Sequence, residues 1–247
     1  MTSLASEAGG ERAAEIAASL AALQARIGAA CQAAGRPADA VTLIAITKTF
    51  PATDIRILSS LGVRDVGENR DQEATPKAAE VADLRNRLTW HFVGQLQTNK
   101  AGSVARYADV IHSVDRLRLV TALGAAARKT GRPLRCLVQV SLDDEPGRGG
   151  APAGQVLTIA DAVAGQAGLE LGGVMAVAPL AAEAVPGGPL TAFYRLAEIA
   201  ALVRARYPDA VMISAGMSGD LEDAIAAGAT HVRVGTALLG GRPGFVR

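Results

Sequence analysis

The chain predicts an α/β fold: a single closed TIM-like (β/α)8 barrel with one extra N-terminal helix. Three observations carry that prediction. Eight short β-branched or aromatic-containing runs alternate with amphipathic helical patterns along 247 residues, and strands that alternate with helices require right-handed crossovers and a parallel sheet. No Gly-x-Gly-x-x-Gly follows the first run, so the dinucleotide fingerprint of an open, doubly wound sheet is missing. Lys48 ends the first run and Gly235-Thr236 ends the last. Closure makes the first and last strands neighbours and brings both features to one mouth, whereas an open sheet holds them apart.

The elements follow in order. Residues 1–10 are expected to be flexible, and residues 11–247 to form one barrel domain. Residues 11–34 are rich in Ala and Leu, with Ile16, Leu20, Leu23 and Ile27 at helical spacing, and are closed by Gly35-Arg36-Pro37; they read as a leading helix. Strands are predicted over 41–47, 63–67, 88–93, 110–113, 134–140, 169–177, 210–214 and 231–234. Helices are predicted between them over 52–60, 70–85, 99–107, 115–129, 153–167, 190–206 and 221–227. The segment 179–189, rich in Gly and Pro, reads as a long loop after the sixth strand and not as a domain boundary.

Composition narrows the function. With 49% hydrophobic residues the chain can bury a substantial core without staples. Lys plus Arg (25) nearly cancels Asp plus Glu (24), with no basic stripe interleaved with aromatics, so nucleic acid is not an expected partner. Cys31 and Cys136 match no metal or redox spacing and are expected to be buried free thiols. The first residues carry glutamates and no apolar core, and no uncharged stretch is long enough for a membrane span. A soluble, cytoplasmic protein is therefore expected.

Candidate chemistry gathers at the strand ends. A lysine at the exit of a buried strand, as Lys48 is, can be partly desolvated, which leaves a nucleophilic amine able to condense with an aldehyde. The seventh strand ends in Ser214-Ala215-Gly216-Met217-Ser218-Gly219-Asp220, a glycine-punctuated turn able to aim amides at an anion, or else an ordinary helix cap made by Ser218 or Asp220. In phosphate-binding barrels the loops after strands seven and eight hold the phosphate, so Gly235-Thr236 belongs to the same reading. An aldehyde and a phosphate on one small molecule describe pyridoxal 5'-phosphate. If Val232 and Val234 face the outer helices, Arg233 points into the barrel, where an unpaired guanidinium is costly. Its partner would be a carboxylate such as Glu68 or Asp220, or a cofactor ring nitrogen. A permanently charged arginine there would leave the ring unprotonated and a weak electron sink. Gly67-Glu68-Asn69 and the stretch from Trp90 to Lys100 supply further polar groups at that face. His91, His112 and His231 read as structural, and neither a catalytic triad nor a metal-ligand cluster is visible.

Ala45-Ile46-Thr47-Lys48, Gly67-Glu68-Asn69, His91-Phe92-Val93-Gly94 with Leu96-Gln97-Thr98-Asn99-Lys100, Ser214 through Ser218, and Val232 through Thr236 together resemble the pyridoxal phosphate homeostasis proteins. The resemblance spans residues 11–240. It implies a barrel similar to the N-terminal domain of alanine racemase, with pyridoxal 5'-phosphate held on Lys48 as an internal aldimine. It further implies that Arg233 faces the pyridine nitrogen, that Asn69 lines the pocket, and that Ser218, Gly235 and Thr236, with backbone from Gly216 and Met217, hold the phosphate. A non-catalytic carrier or buffer of the cofactor, monomeric and serving apo-enzymes that require it, is what the resemblance implies for function. The chain departs from it at Gly219, where relatives carry an acidic or serine residue, and at Arg148, where a lysine is common; arginine cannot form an imine.

Two rivals stand beside this reading. One is an amino-acid racemase of low activity, using Lys48 alone or with Tyr107, Tyr194 or Tyr207. Racemisation needs an acid/base on each ring face; in alanine racemase a separate β-domain supplies the second, and few residues follow the last motif here. The other is an imine-forming aldolase on a phosphate-binding barrel, which would take a sugar phosphate.

Overall fold

The computed structural model describes residues 2–143, 149–179 and 188–241. Parallel strands β1 (Thr42–Ile46), β2 (Asp65–Glu68), β3 (Thr89–Phe92), β4 (Val110–Val114), β5 (Leu134–Gln139), β6 (Leu169–Met175), β7 (Met212–Ser214) and β8 (His231–Val234) form a closed barrel in chain order. The seam is well formed, with Thr42 paired to His231, Leu43 to Val232, Ile44 to Arg233 and Ala45 to Val234. Every predicted strand is present, with ends that differ by a residue or two. Val63, for example, precedes β2 and packs against the leading helix instead of joining the sheet.

Helices α1 (Thr2–Ala33), α2 (Ala52–Ser60), α3 (Asp71–Glu80), α4 (Ala101–Val104), α5 (Leu117–Thr130), α6 (Val156–Ala164), α7 (Gly188–Arg206), α8 (Leu221–Ala226) and α9 (Thr236–Leu239) surround the strands. Helix α1 starts at Thr2, ahead of the predicted Glu11. Its Ile16, Leu20, Leu23, Ile27 and Cys31 share a core with Leu221, Leu238, Val232 and Val234. The extra helix therefore covers the seam where β8 meets β1. Each Leu, Ile or Val buried there contributes about 1.5–3 kcal/mol. The predicted helix over 70–85 breaks after Glu80, because Val81 leaves helical geometry (φ −113°) and buries its side chain, and a 3-10 turn follows at Ala82–Leu84. The predicted helix over 99–107 shrinks to a 3-10 turn, Thr98–Lys100, and α4. Gly102 and Ser103, both weak helix formers, lie within it.

Strand alternation sorts the side chains into two cores. Val66, Trp90, Phe92, Ile111 and Cys136 face the helices. Val110, Leu137, Met175 and Met212 pack with one another inside the barrel. Cys31 and Cys136 are buried and free, and burial pushes the Cys136 thiol up to about 12. Among the described residues no helix is long and apolar enough to cross a membrane, and no group of His, Cys, Asp and Glu is placed to hold a metal ion.

Candidate cofactor-binding site

Closure gathers the C-terminal ends of β1, β2, β3, β7 and β8 around a cavity of about 410 Å³ whose lining includes Lys48, Asn69, Met217, Ser218, Arg233, Gly235 and Thr236. Gly216 lies behind the wall. Its φ of +92° suits glycine, a Cβ there would meet the Ala224 Cβ at 2.8 Å, and its carbonyl accepts the Arg233 amide at 2.9 Å. Gly219, Thr49 and Phe50 also line the cavity. A larger hollow of about 640 Å³ opens at the other end of the barrel. Its arginines are already paired, Arg135 with Glu170 at 3.2 Å and Arg206 with Asp161 at 3.0 Å, and it contains no lysine or thiol. The mouth cavity is the site with chemistry.

Lys48 is half-buried and sits between two anchored neighbours. Before it, the Thr47 amide donates to the Gly67 carbonyl at 2.9 Å and the Thr47 hydroxyl to Glu68 Oε1 at 2.7 Å. Lys77 of α3 donates from Nζ to the Thr47 carbonyl at 2.8 Å and to Glu68 Oε1 at 2.6 Å. After it, Thr49 adopts φ +67° and its amide donates to Glu73 Oε2 at 3.1 Å. A β-branched residue in the left-handed region costs on the order of 1–3 kcal/mol and persists where its surroundings enforce it. Lys77 and Thr49 are not legible in the sequence; a threonine carries no mark of its φ, and Lys77 reads as one more charge on a helix.

Two expectations about Glu68 are overturned. It does not line the mouth, and it does not pair with Arg233. Val66 and Glu68 alternate to the outer face of β2, where Glu68 is fully buried against Lys77. Burial raises the Glu68 pKa above the ordinary carboxylate value, against the opposing pull of Lys77. Asn69, beyond the strand end, does reach the cavity.

Arg233 points into the barrel as predicted, only 5% exposed, while Val232 and Val234 pack outward. Its partners are not the expected carboxylates. One guanidinium nitrogen donates to Ser214 Oγ at 2.7 Å and the other to the Ala176 carbonyl at 2.8 Å. Burial pushes its pKa down to about 10, so it remains a cation at neutral pH. Asp220 is occupied elsewhere: its Oδ1 accepts the Met217 amide at 2.6 Å and folds the turn after β7. It precedes α8 without a side-chain capping bond. Ser218 Oγ accepts the Ala237 amide at 3.3 Å, tying that turn to α9. Arg26 of α1 donates to the Ser218 carbonyl at 3.2 Å while paired with Glu222. The turn is thus braced from behind, and the Ser218 and Gly219 amides donate to no acceptor among the described residues.

Gly94 sets the position of Asn69. A Cβ at Gly94 would come within 2.0 Å of the Asn69 carbonyl oxygen, a backbone atom with nowhere to go. Gly94→Ala is therefore expected to displace Asn69 and to destabilise the protein by about 1–3 kcal/mol, read as a lower urea midpoint. An unchanged midpoint would show that the approach is not tight.

His91 and His112 are buried, hydrogen-bonded residues, and His231 is partly buried and hydrogen-bonded, in keeping with the structural reading. His91 meets His112 and Asp65, and the His231 Nδ1 lies 2.8 Å from Thr230 Oγ1. Burial pushes His231 down to about 4. None of the rival tyrosines lines the mouth. Tyr107 stacks edge-on against Trp90, Tyr207 donates to Asp161 at 2.7 Å, and Tyr194 is half exposed on α7. Arg148 lies outside the described residues.

Residues 18–243 match the family model of the alanine racemase N-terminal domain. Among curated relatives, the pyridoxal phosphate homeostasis protein of Mycobacterium tuberculosis is 47% identical over 249 residues, spanning 94% of this chain and 95% of that protein. The chain belongs to the pyridoxal phosphate homeostasis protein family. The Escherichia coli family member is 38% identical over 236 residues, spanning 92% of this chain and 97% of its own. A solved structure of PipY from Synechococcus elongatus, with PLP bound, superposes with a TM-score of 0.77 at 35% identity, covering 91% of this chain and 100% of that one. Family membership thus accords with the barrel and its sealed seam.

Proposed function

We propose that this chain binds pyridoxal 5'-phosphate at the barrel mouth through Lys48 and serves in the homeostasis of that cofactor as a non-catalytic carrier. One observation carries the reading: a single cavity joins a lysine amine, a buried arginine and two small-residue turns. The donor set fits the group. An amine meets an aldehyde, a fixed cation meets a ring nitrogen lone pair, and amides with hydroxyls meet a phosphate. When bound, the cofactor would supply an electron-withdrawing ring at the mouth.

The residues divide the work. Lys48, held by Thr47 and Thr49, presents its amine. Arg233 would donate toward the ring nitrogen and, as a fixed cation, would disfavour its protonation, which would weaken the ring as an electron sink. Ser218, Gly235 and Thr236, with the backbone amides of Ser218 and Gly219, would hold the phosphate, while the Met217 amide, already donated to Asp220, braces the turn, Gly216 supports Arg233 from behind, and Asn69 closes one side. The absence of any described tyrosine from the lining supports a carrier over a racemase, which needs a second acid/base. Residues 11–247 would act as one cytoplasmic domain, a monomer that delivers the cofactor to apo-enzymes requiring it.

The test uses purified protein supplied with pyridoxal 5'-phosphate and single-enantiomer amino acids. The expected result is a yellow protein that inverts none of them at a sustained rate. Steady inversion would replace the carrier by a racemase, and uptake of a sugar phosphate with no colour would favour the aldolase.

A further inference from the structure

A buried guanidinium without a carboxylate against it requires an explanation, because burying an unpaired charge is expensive. Among the described residues Arg233 hydrogen-bonds only to Ser214 and a backbone carbonyl through its terminal nitrogens, and Asp220 acts on it only through space. The hydrogen bonds do not stop there. Ser214 Oγ lies 3.0 Å from His112 Nδ1, His112 Nε2 lies 2.9 Å from His91 Nδ1, and His91 Nε2 lies 2.9 Å from Asp65 Oδ1. Ser214 ends β7 and Asp65 begins β2, so the bonded side chains cross the interior from the mouth to the floor.

Donor chemistry gives this row a direction. A guanidinium can only donate, so Ser214 Oγ accepts from Arg233 and its own proton is available to His112 Nδ1. His112 then carries its proton on Nε2 and donates to His91 Nδ1, and His91 carries its proton on Nε2 and donates to Asp65. The reverse arrangement needs a doubly protonated His91 and a proton on His112 Nδ1. It would leave the Ser214 hydroxyl without an acceptor among the described residues and add a second cation to the interior that holds Arg233. Burial, followed by the nearby His91, Arg233 and His231, holds His112 well below the ordinary imidazole value, in keeping with a neutral ring.

We propose that Asp65, His91, His112 and Ser214 form a one-way hydrogen-bond relay that gives Arg233 a remote counter-ion and holds its guanidinium at the mouth. The four are positioning residues. The proposal rests on the reading that Arg233 faces the cofactor's ring nitrogen, and it extends the determinants of that contact to the opposite end of the barrel.

Two measurements test it. Long-range proton–nitrogen NMR of the imidazoles in the full chain is expected to show neutral His91 and His112, each protonated on Nε2; a proton on His112 Nδ1, or a doubly protonated His91, overturns the relay. This readout needs no cofactor, so it stands even if the cofactor reading fails. The second is titration of wild type, Ser214→Ala and Asp65→Asn with pyridoxal 5'-phosphate, recording affinity and the visible band of the bound cofactor. Ser214→Ala is expected to weaken binding about tenfold and to shift the band, since it removes a hydrogen bond to a buried charge. Asp65→Asn keeps an acceptor oxygen and nearly the same volume but loses the charge, and is expected to move both readouts in the same direction by less. If wild type binds while both variants keep its affinity and band, with only their melting temperatures lowered, the residues are merely structural and the proposal is wrong.

Discussion

Lys48→Ala is expected to abolish the borohydride-fixed label: reduced wild-type protein should carry the cofactor's mass on the peptide containing Lys48, and the variant should carry none. The sequence contains three other lysines, and the structure disfavours each. Lys77 is locked between Glu68 and the Thr47 carbonyl, Lys100 faces Asp71 at 4.0 Å, and Lys129 lies in the last turn of α5. None lines the mouth cavity. Non-covalent affinity should survive in part, because Arg233 and the two turns proposed to hold the phosphate remain. A loss of at least about tenfold, or ~1.4 kcal/mol, is expected on titration. Retention of a reducible label at full stoichiometry would place the attachment elsewhere and remove the basis of the functional reading.

The barrel was legible because its evidence is repetitive. Alternating strand and helix patterns recur along the chain, and Lys48 with Gly235-Thr236 pointed to closure, which the β1–β8 register bears out. Arg233 was legible for a related reason: Val232 and Val234 must share a face, so the residue between them takes the other. Its partners were not legible. Carboxylates are the usual protein partners of buried arginines, so the sequence offers Glu68 or Asp220 as well as a cofactor ring nitrogen. Glu68, however, alternates to the helix side of β2, and Asp220 folds the turn after β7. His91, His112 and Ser214 each read as ordinary core residues, and only barrel closure puts them in one row. Thr49 was invisible for a different reason, since its φ of +67° is imposed by what surrounds Lys48 and not by local propensity.

Lys77→Met is expected to cause the largest loss of stability of any change considered, because it deletes the charge and keeps most of the side-chain volume. Glu68 is fully buried, its Oε2 has no described hydrogen-bond partner, and among the described residues Lys77 supplies its only cation contact. Stranding one member of a buried pair costs about 3–5 kcal/mol, although replacing both members by apolar groups is often neutral. Burial already raises the Glu68 pKa while Lys77 pulls it down, so removing Lys77 raises it further. The sign follows. A carboxylic acid whose folded pKa exceeds its unfolded value stabilises the fold at pH below the unfolded pKa, and that stability is lost as pH climbs through the folded pKa. The variant should therefore regain stability as the solution is made mildly acidic and lose it as it is made alkaline. Urea denaturation at several pH values reads this directly, and Lys77→Met combined with Glu68→Leu should recover most of the loss and flatten the dependence. If the double variant is as unstable as the single one, the ion pair is not the source of the effect. Because Lys77 also donates to the carbonyl of Thr47, the folded fraction of the single variant should bind pyridoxal 5'-phosphate more weakly, linking a charge pair in the helix layer to the amine at the mouth.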